Sequence, residues 1–204
     1  GGFFCAGGDL NALRERRSLP EVERQGKIEL LHDVIRAIRN CPVPVIAAVK
    51  GGAAGAGASI ALACDFIVME AGAKFTAAYV KAGLVPDGGL TASLARMIPR
   101  PLAMEMCVLA RPVTAERMQA LGAVNAVVDV DQVMAEAHVF ADAVAAGPRE
   151  AQARIRVMVA AGYEQTEVAQ LDLERDAMAH AAGGDEAAEG IAAFLEKRKP
   201  EYGT

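Results

Sequence analysis

A seven-residue run with four glycines, Gly51-Gly52-Ala53-Ala54-Gly55-Ala56-Gly57, joins two apolar stretches. Upstream, Val45-Ile46-Ala47-Ala48-Val49 follows Pro42 and Pro44, and this predicts a short buried strand. Downstream, Ser59 to Cys64 carries only small or apolar side chains, which predicts a helix packed on all sides. A chain that passes from a buried strand into a buried helix through one turn needs residues that tolerate unusual φ and allow backbones to approach closely. Glycine supplies both properties. A second glycine turn, Gly7-Gly8-Asp9, follows Phe3 to Ala6, which reads as the end of a buried strand. Two such turns, each leading toward a helix, can aim backbone N–H groups at one point.

The remaining elements follow from periodicity. Ile28, Leu31, Ile35 and Ile38 recur at helical spacing and predict an amphipathic helix over residues 21–40. Residues 65–68, 74–76 and 124–128 read as strands, and residues near 90–97, 101–109 and 114–120 as helices. From about residue 131 the pattern is helical, interrupted at Gly147-Pro148, Gly162 and Gly183-Gly184. The expected organisation is an α/β core over residues 1–130 and a helical C-terminal region over 131–204. The opening Gly1-Gly2-Phe3-Phe4 lacks Met and starts at a strand end, so the core is read as N-terminally truncated.

Composition narrows the function classes. The 204 residues are 53% hydrophobic and 23% charged, with a net charge of -5, which suits a globular chain and argues against a nucleic-acid surface. No apolar run reaches membrane-spanning length, so no membrane role is expected. Cys5, Cys41, Cys64 and Cys107 are scattered among apolar neighbours, and His32, His138 and His180 are isolated. Neither set has metal-site spacing; the expectation is reduced cysteines, no metal and a cytoplasmic location.

One carboxylate stands out. Asp87 sits in Gly83-Leu84-Val85-Pro86-Asp87-Gly88-Gly89, where it can cap the following helix or act as an acid/base. Backbone donors facing a lone carboxylic acid suit chemistry beside a carbonyl, where an oxyanion is stabilised while a proton moves. Leu84, Val85 and Pro86 are expected to shield the acid from water. Gly55-x-Gly57 also fits part of a dinucleotide-binding loop, but Ile60 occupies the place of the third glycine.

Three motifs occur in order: Phe4-Cys5-Ala6-Gly7-Gly8-Asp9; Pro44 to Val49 with the glycine turn; and Ala61-Leu62-Ala63-Cys64-Asp65. With the C-terminal Glu189-Gly190-Ile191-Ala192-Ala193-Phe194-Leu195-Glu196-Lys197-Arg198-Lys199-Pro200, the chain resembles the enoyl-CoA hydratase/isomerase (crotonase) family over essentially its whole length. That resemblance implies a crotonase-like ββα superhelix with a helical C-terminal trimerisation region. It implies an acyl-CoA substrate, with coenzyme A carried as part of the thioester and no other cofactor, and a homotrimer or dimer of trimers. By matched position the backbone N–H groups of Gly8 and Ala56 would form the oxyanion hole, and Ala6 would meet the adenine. Phe194 and Lys197 would close over coenzyme A from a neighbouring subunit.

Ser59 and Tyr79 occupy the positions of the two glutamates that hydratases of the family use; both are read instead as substrate-binding, Tyr79 either lining the acyl pocket or packing in the core. A serine without an activating histidine, or a tyrosine with an ordinary pKa of about 10, is a poor base at neutral pH. Asp87 falls where double-bond-shifting members keep their single acid/base. The resemblance therefore favours an isomerase, with a lean toward the branch tied to aromatic-acid (phenylacetate-type) catabolism. A hydratase or hydrolase of aromatic-acid catabolism, or a non-catalytic acyl-CoA binder, is the alternative. A dehalogenating branch uses the same aspartate but needs an aromatic cage, and this chain has no Trp and 4% aromatics.

Overall fold

The computed structural model describes residues 2–203, and the chain folds into two compact units. The first holds Gly1–Cys41 and Val45–Val139; the second holds Pro42–Pro44 and Phe140–Thr204.

In the first unit, strand–turn–strand–helix segments deal their strands alternately into two small sheets. Strands β1 (Ile46–Val49), β3 (Phe66–Glu70) and β6 (Ala126–Val128) form one, in the order β1-β3-β6 and all parallel. Strands β2 (Ala53–Ala54), β4 (Lys74–Thr76) and β5 (Val113–Thr114) form the other, with β2 and β4 parallel and β4 and β5 antiparallel. Gly51 and Gly52, with φ of 69° and 135°, carry the chain from β1 to β2. A β-carbon on Gly52 would lie 2.8 Å from the Lys74 carbonyl oxygen, so this crossing admits no side chain.

Helices α1 (Leu10–Arg16), α2 (Glu21–Arg39), α3 (Ala56–Ala63), α4 (Leu90–Met97), α5 (Arg100–Leu109) and α6 (Ala115–Ala120) surround these sheets. The core comprises Val49, Ile67, Met69, Phe75, Leu90, Leu94, Met106 and Met118 with the alanines of α3. Helix α3 is buried on nearly every face, as its small side chains predict. That lets α2 and α4 pack closely on it.

Two expectations need correction, and one helix is unanticipated. Phe3–Ala6 is not a strand end but a single bridge, Cys5 to Ala53. Strand β2, only two residues long, offers too short an edge for more. Helix α3 begins at Ala56 rather than Ser59, so the last part of the glycine run is already helical. Helix α1 has no apolar periodicity to announce it: it buries no residue, and its start is fixed by Asp9, whose Oδ1 accepts from Asn11 N at 2.8 Å.

Helix α7 (Val133–Ala145) begins in the first unit's residues and ends in the second's, which continue with α8 (Arg149–Ala161), α9 (Glu167–Ala182) and α10 (Asp185–Glu196). Pro148 cannot cap α8 through a side-chain oxygen, so the open N–H groups of Glu150 and Ala151 donate instead to the Glu186 carboxylate at 2.8 and 3.0 Å. Among the described residues, no helix is long and apolar enough to cross a membrane.

Candidate active site

The Cys5–Ala53 bridge lays residues 4–8 beside the second glycine turn. Phe4 N donates to the Lys50 carbonyl at 2.8 Å, and Ala54 N donates to the Cys5 carbonyl at 2.9 Å. The two backbones touch without intervening side chains. A β-carbon on Gly7, whose φ is 100°, would lie 3.0 Å from Ala54 O and 3.5 Å from Ala56 N, and one on Gly57 would collide with the Cys5 carbonyl. Gly55, at φ 52°, turns the chain into α3 and ties its own N–H to the Thr76 carbonyl at 3.0 Å. Ala56 is thus the first residue of α3, where an amide has no intrahelical acceptor and the helix presents partial positive charge. Neither Gly8 N–H nor Ala56 N–H donates to any acceptor among the described residues.

The carboxylate is held from the other side. A short 3-10 helix, Ala78–Ala82, ends at Gly83 with φ 68°, and Leu84 N returns to the Tyr79 carbonyl at 3.1 Å. This reversal brings Asp87 back to Tyr79, whose hydroxyl donates to Asp87 Oδ1 at 2.8 Å. Ser59, fully buried in α3, donates its hydroxyl to the Asp87 backbone carbonyl at 2.9 Å and lies 3.3 Å from the Tyr79 hydroxyl. Gly88 (φ 60°) lets the loop settle on α3, since a β-carbon there would be 2.9 Å from Ser59 Cβ.

Ser59 lies three residues after Ala56 and on the same side of α3, while the Tyr79 ring comes within 4.0 Å of the β-carbon position of Gly55. The acid loop is therefore fastened to the helix that presents the Ala56 amide.

Burial raises the Tyr79 pKa well above the ordinary tyrosine range; the Ser59 contact opposes this, and the Asp87 carboxylate reinforces it. The phenol therefore remains a protonated donor at neutral pH and is no base. Asp87 Oδ2 has no hydrogen-bond partner among the described residues, which leaves one carboxylate oxygen open.

One of the two readings left open for Asp87, and the expected shielding by its neighbours, do not hold. It does not cap α4: Gly89, at φ 74°, holds that position without a side-chain bond. Nor do its neighbours shield it in this chain, because Leu84 and Val85 are 42% and 81% exposed. Ala6 is exposed. Phe194 and Lys197 belong to the second unit: Phe194 lies on α10 and is 83% exposed, and Lys197 ends that helix at φ 57°. The grip of Tyr79 on Asp87 leaves no mark in the sequence, since an eight-residue separation across a glycine turn has no local signature. No group of three or more His, Cys, Asp or Glu among the described residues is arranged to hold a metal ion.

This combination of a glycine-lined backbone cradle and a tethered acid sits in a fold shared with known enzymes. A crystal structure of an enoyl-CoA hydratase from Polaromonas sp. JS666 aligns with a TM-score of 0.95 at 44% identity, covering 100% of this chain and 79% of that one. Among curated relatives, a 1,2-epoxyphenylacetyl-CoA isomerase of Escherichia coli (strain K12) is 36% identical, over 98% of this chain and 76% of its own length. A probable enoyl-CoA hydratase of Rhodobacter capsulatus is 38% identical, over 99% of this chain and 77% of its own length. The fold is thus the crotonase-like α/β fold. Residues 1–204 match the enoyl-CoA hydratase/isomerase family, and the chain belongs to it. Its relatives include proteins named as isomerases and as hydratases.

Proposed function

We propose that the chain moves a double bond within an unsaturated acyl-CoA through a stabilised enolate, with Asp87 as its single acid/base. The thioester oxygen accepts from Gly8 N–H and Ala56 N–H. Asp87 Oδ2 takes a proton from the carbon alpha to the thioester. The electron pair left behind conjugates with the double bond to give a dienolate, whose oxyanion charge the two amides stabilise. Asp87 then returns the proton to the gamma carbon, the double bond comes to rest next to the carbonyl, and the carboxylate is regenerated. Coenzyme A takes part only as the thioester portion of the substrate. In a homotrimer or dimer of trimers, Ala6 meets its adenine, and Phe194 and Lys197 of a neighbouring chain cover it.

The observation that carries this reading is the Tyr79–Asp87 hydrogen bond, backed by Ser59. It fastens one carboxylate oxygen and leaves the other open beside the helix bearing Ala56. The same two residues count against a hydratase that employs two glutamates: Ser59 is sealed from solvent and Tyr79 keeps its proton. The likeness to a 1,2-epoxyphenylacetyl-CoA isomerase supports a second choice of substrate, a ring-bearing acyl-CoA isomerised by the same acid.

The test offers purified protein a 3-enoyl-CoA and, separately, a 2-enoyl-CoA, and follows the conjugated thioester absorbance. Conjugation of the 3-enoyl substrate that falls by about 10²- to 10⁴-fold in Asp87→Asn supports the isomerase. Loss of the 2-enoyl signal, unaffected by the substitution, means hydration by another route. Binding of both without turnover means an acyl-CoA binder.

A further inference from the structure

A cavity of about 410 Å³ lies in the first unit between α1, the start of α2 and the loop before Asp87. Its apolar lining consists of Leu10, Leu13, Ile28, Ala82 and Leu84. Around these stand five cations, Arg14, Arg16, Arg17, Arg24 and Lys27, and no carboxylate lines the space. The arrangement follows from helical periodicity. Along α1 and its C-cap residue Arg17, the set Leu10, Leu13, Arg14 and Arg17 falls at i, i+3, i+4 and i+7, which is one helix face. On α2 Arg24, Lys27 and Ile28 fall at i, i+3 and i+4 and line the same space. Two helices therefore turn faces that mix apolar and basic side chains toward one cavity.

None of the five cations forms an ion pair with a carboxylate among the described residues. Arg24 is partly committed, since its Nη1 donates to the carbonyls of Leu19 at 2.7 Å and Arg17 at 3.4 Å. In a chain whose net charge is -5, five adjacent uncompensated cations bordering an apolar cavity mark a place for an anion.

The cavity adjoins the groups assigned to the reaction. Leu13 Cδ1 lies 3.9 Å from the β-carbon position of Gly8. Leu84 lies three residues before Asp87. Arg14 follows Leu13 directly, and Arg17 caps the end of α1 four residues after Leu13. That places the charges within reach of a short acyl chain, whereas the pantetheine arm holds the phosphates of coenzyme A away from the thioester.

We infer that the preferred acyl group has an apolar middle and an anionic end, a carboxylate at the terminus away from the thioester, received by Arg14, Arg17 and Lys27. This rests on the acyl-CoA reading above and specifies its substrate class. The apolar lining holds the methylene segment, and the cations supply charge-assisted hydrogen bonds to the carboxylate.

The test uses saturated acyl-CoAs, which bind without reacting, so it does not depend on turnover. Affinities for hexanoyl-CoA, adipoyl-CoA and free coenzyme A are measured by calorimetry with the wild type and with Arg14→Gln/Arg17→Gln/Lys27→Gln. Arg24 is kept because it braces the α1–α2 connection. Adipoyl-CoA is expected to bind about tenfold tighter than hexanoyl-CoA. That ratio should shrink with added salt and fall to near one in the triple variant. Equal wild-type affinities for the two acyl-CoAs overturn the inference, and they do so even if the triple variant fails to fold. A ratio unchanged by the triple substitution, with free coenzyme A weakened instead, assigns the cations to its phosphates and also overturns it. A retained preference without isomerisation of any 3-enoyl-CoA strikes the acid/base reading of Asp87 alone.

Discussion

The Tyr79 hydroxyl donates to Asp87 Oδ1 across 2.8 Å, and this one bond fixes how the proposed acid is presented. A carboxylate on a loop rotates freely unless one oxygen is held. Here a half-buried phenol holds it, and Ser59 clamps the backbone of the same residue. Tyr79→Phe keeps the ring packed near Gly55 and removes only the donor. The expected result is a fall in kcat of about tenfold or more with KM little changed, because the carboxylate is no longer aimed. Steady-state kinetics with a 3-enoyl-CoA check this; a KM rise at constant kcat would show that Tyr79 serves substrate binding instead.

The same phenol gives a pH signature. Its pKa is raised, first by burial and then by the neighbouring Asp87 charge. Above the ordinary tyrosine value of about 10 the unfolded chain loses this proton while the folded one keeps it. The unfolded state then binds fewer protons, so the contribution of Tyr79 to stability is complete below about pH 10 and declines as pH rises further. Subtracting the phenolate absorbance titration of Tyr79→Phe from that of the wild type should leave a component that appears only above that pH. A difference component at or below pH 10 would mean that the hydroxyl faces water.

Gly57 tests the closeness of the two glycine turns. Its φ is not in the left-handed region, so its requirement is purely steric: an alanine methyl would meet the Cys5 carbonyl and side chain. Gly57→Ala must push the segment bearing Gly8 away from the turn bearing Ala56. The expected loss of stability is about 1–3 kcal/mol, read by urea denaturation. Separating the two amides should also lower kcat by about 10²-fold. Unaltered kcat at reduced stability would remove these amides from the oxyanion role.

Much of this arrangement is legible in the sequence because glycine and proline punctuate it. The strand over residues 74–76 is found where expected, and the one expected over 45–49 spans Ile46–Val49, because apolar runs bounded by such residues have few alternatives. What stays hidden is decided at a distance. Strand β2 is two residues long and exists through its pairing with β4 and Cys5. Helix α1 buries no residue, so its Leu10–Leu13–Arg14–Arg17 face acquires meaning only opposite α2. Asp87 can be singled out by its family position, but its grip by Tyr79 depends on a turn at Gly83 that a linear pattern does not reveal.

In the second unit, Glu189 holds the tail that follows α10. Its two oxygens pair with Arg198 Nη1 at 2.6 Å and Nη2 at 2.9 Å, and Oε1 also accepts from Glu201 N at 2.6 Å. The Arg198 bonds and then the Glu201 N–H bond lower its pKa from 4.5 to about 2. Because the folded value is depressed, its stabilising effect is present above pH 4.5 and is lost as pH falls through about 2. Urea denaturation should therefore show a gap between wild type and Glu189→Gln at pH 6 that closes over that window. A gap independent of pH would mean that packing, not charge, is what Glu189 supplies.

Lys197 stands between that clamp and α10 in a conformation that favours glycine. Its φ of 57° is left-handed, and its N–H closes the helix on the carbonyls of Ala193 and Phe194. A side chain there costs about 1 kcal/mol through the close approach of Cβ to the following carbonyl. If Lys197 only ended the helix, Lys197→Gly would relieve that cost and change nothing else. If it contacts the phosphates of coenzyme A bound to a neighbouring chain, the same substitution should raise stability and weaken binding together. The expectation is both: a gain of about 1 kcal/mol in denaturation, and a loss of about threefold in coenzyme A affinity that shrinks at high salt, as for an exposed ion pair. Opposite movements of stability and affinity are hard to obtain from a merely structural residue, whose substitution shifts both the same way or shifts stability alone. A stabilised variant with undiminished affinity at low salt would remove Lys197 from the coenzyme A site.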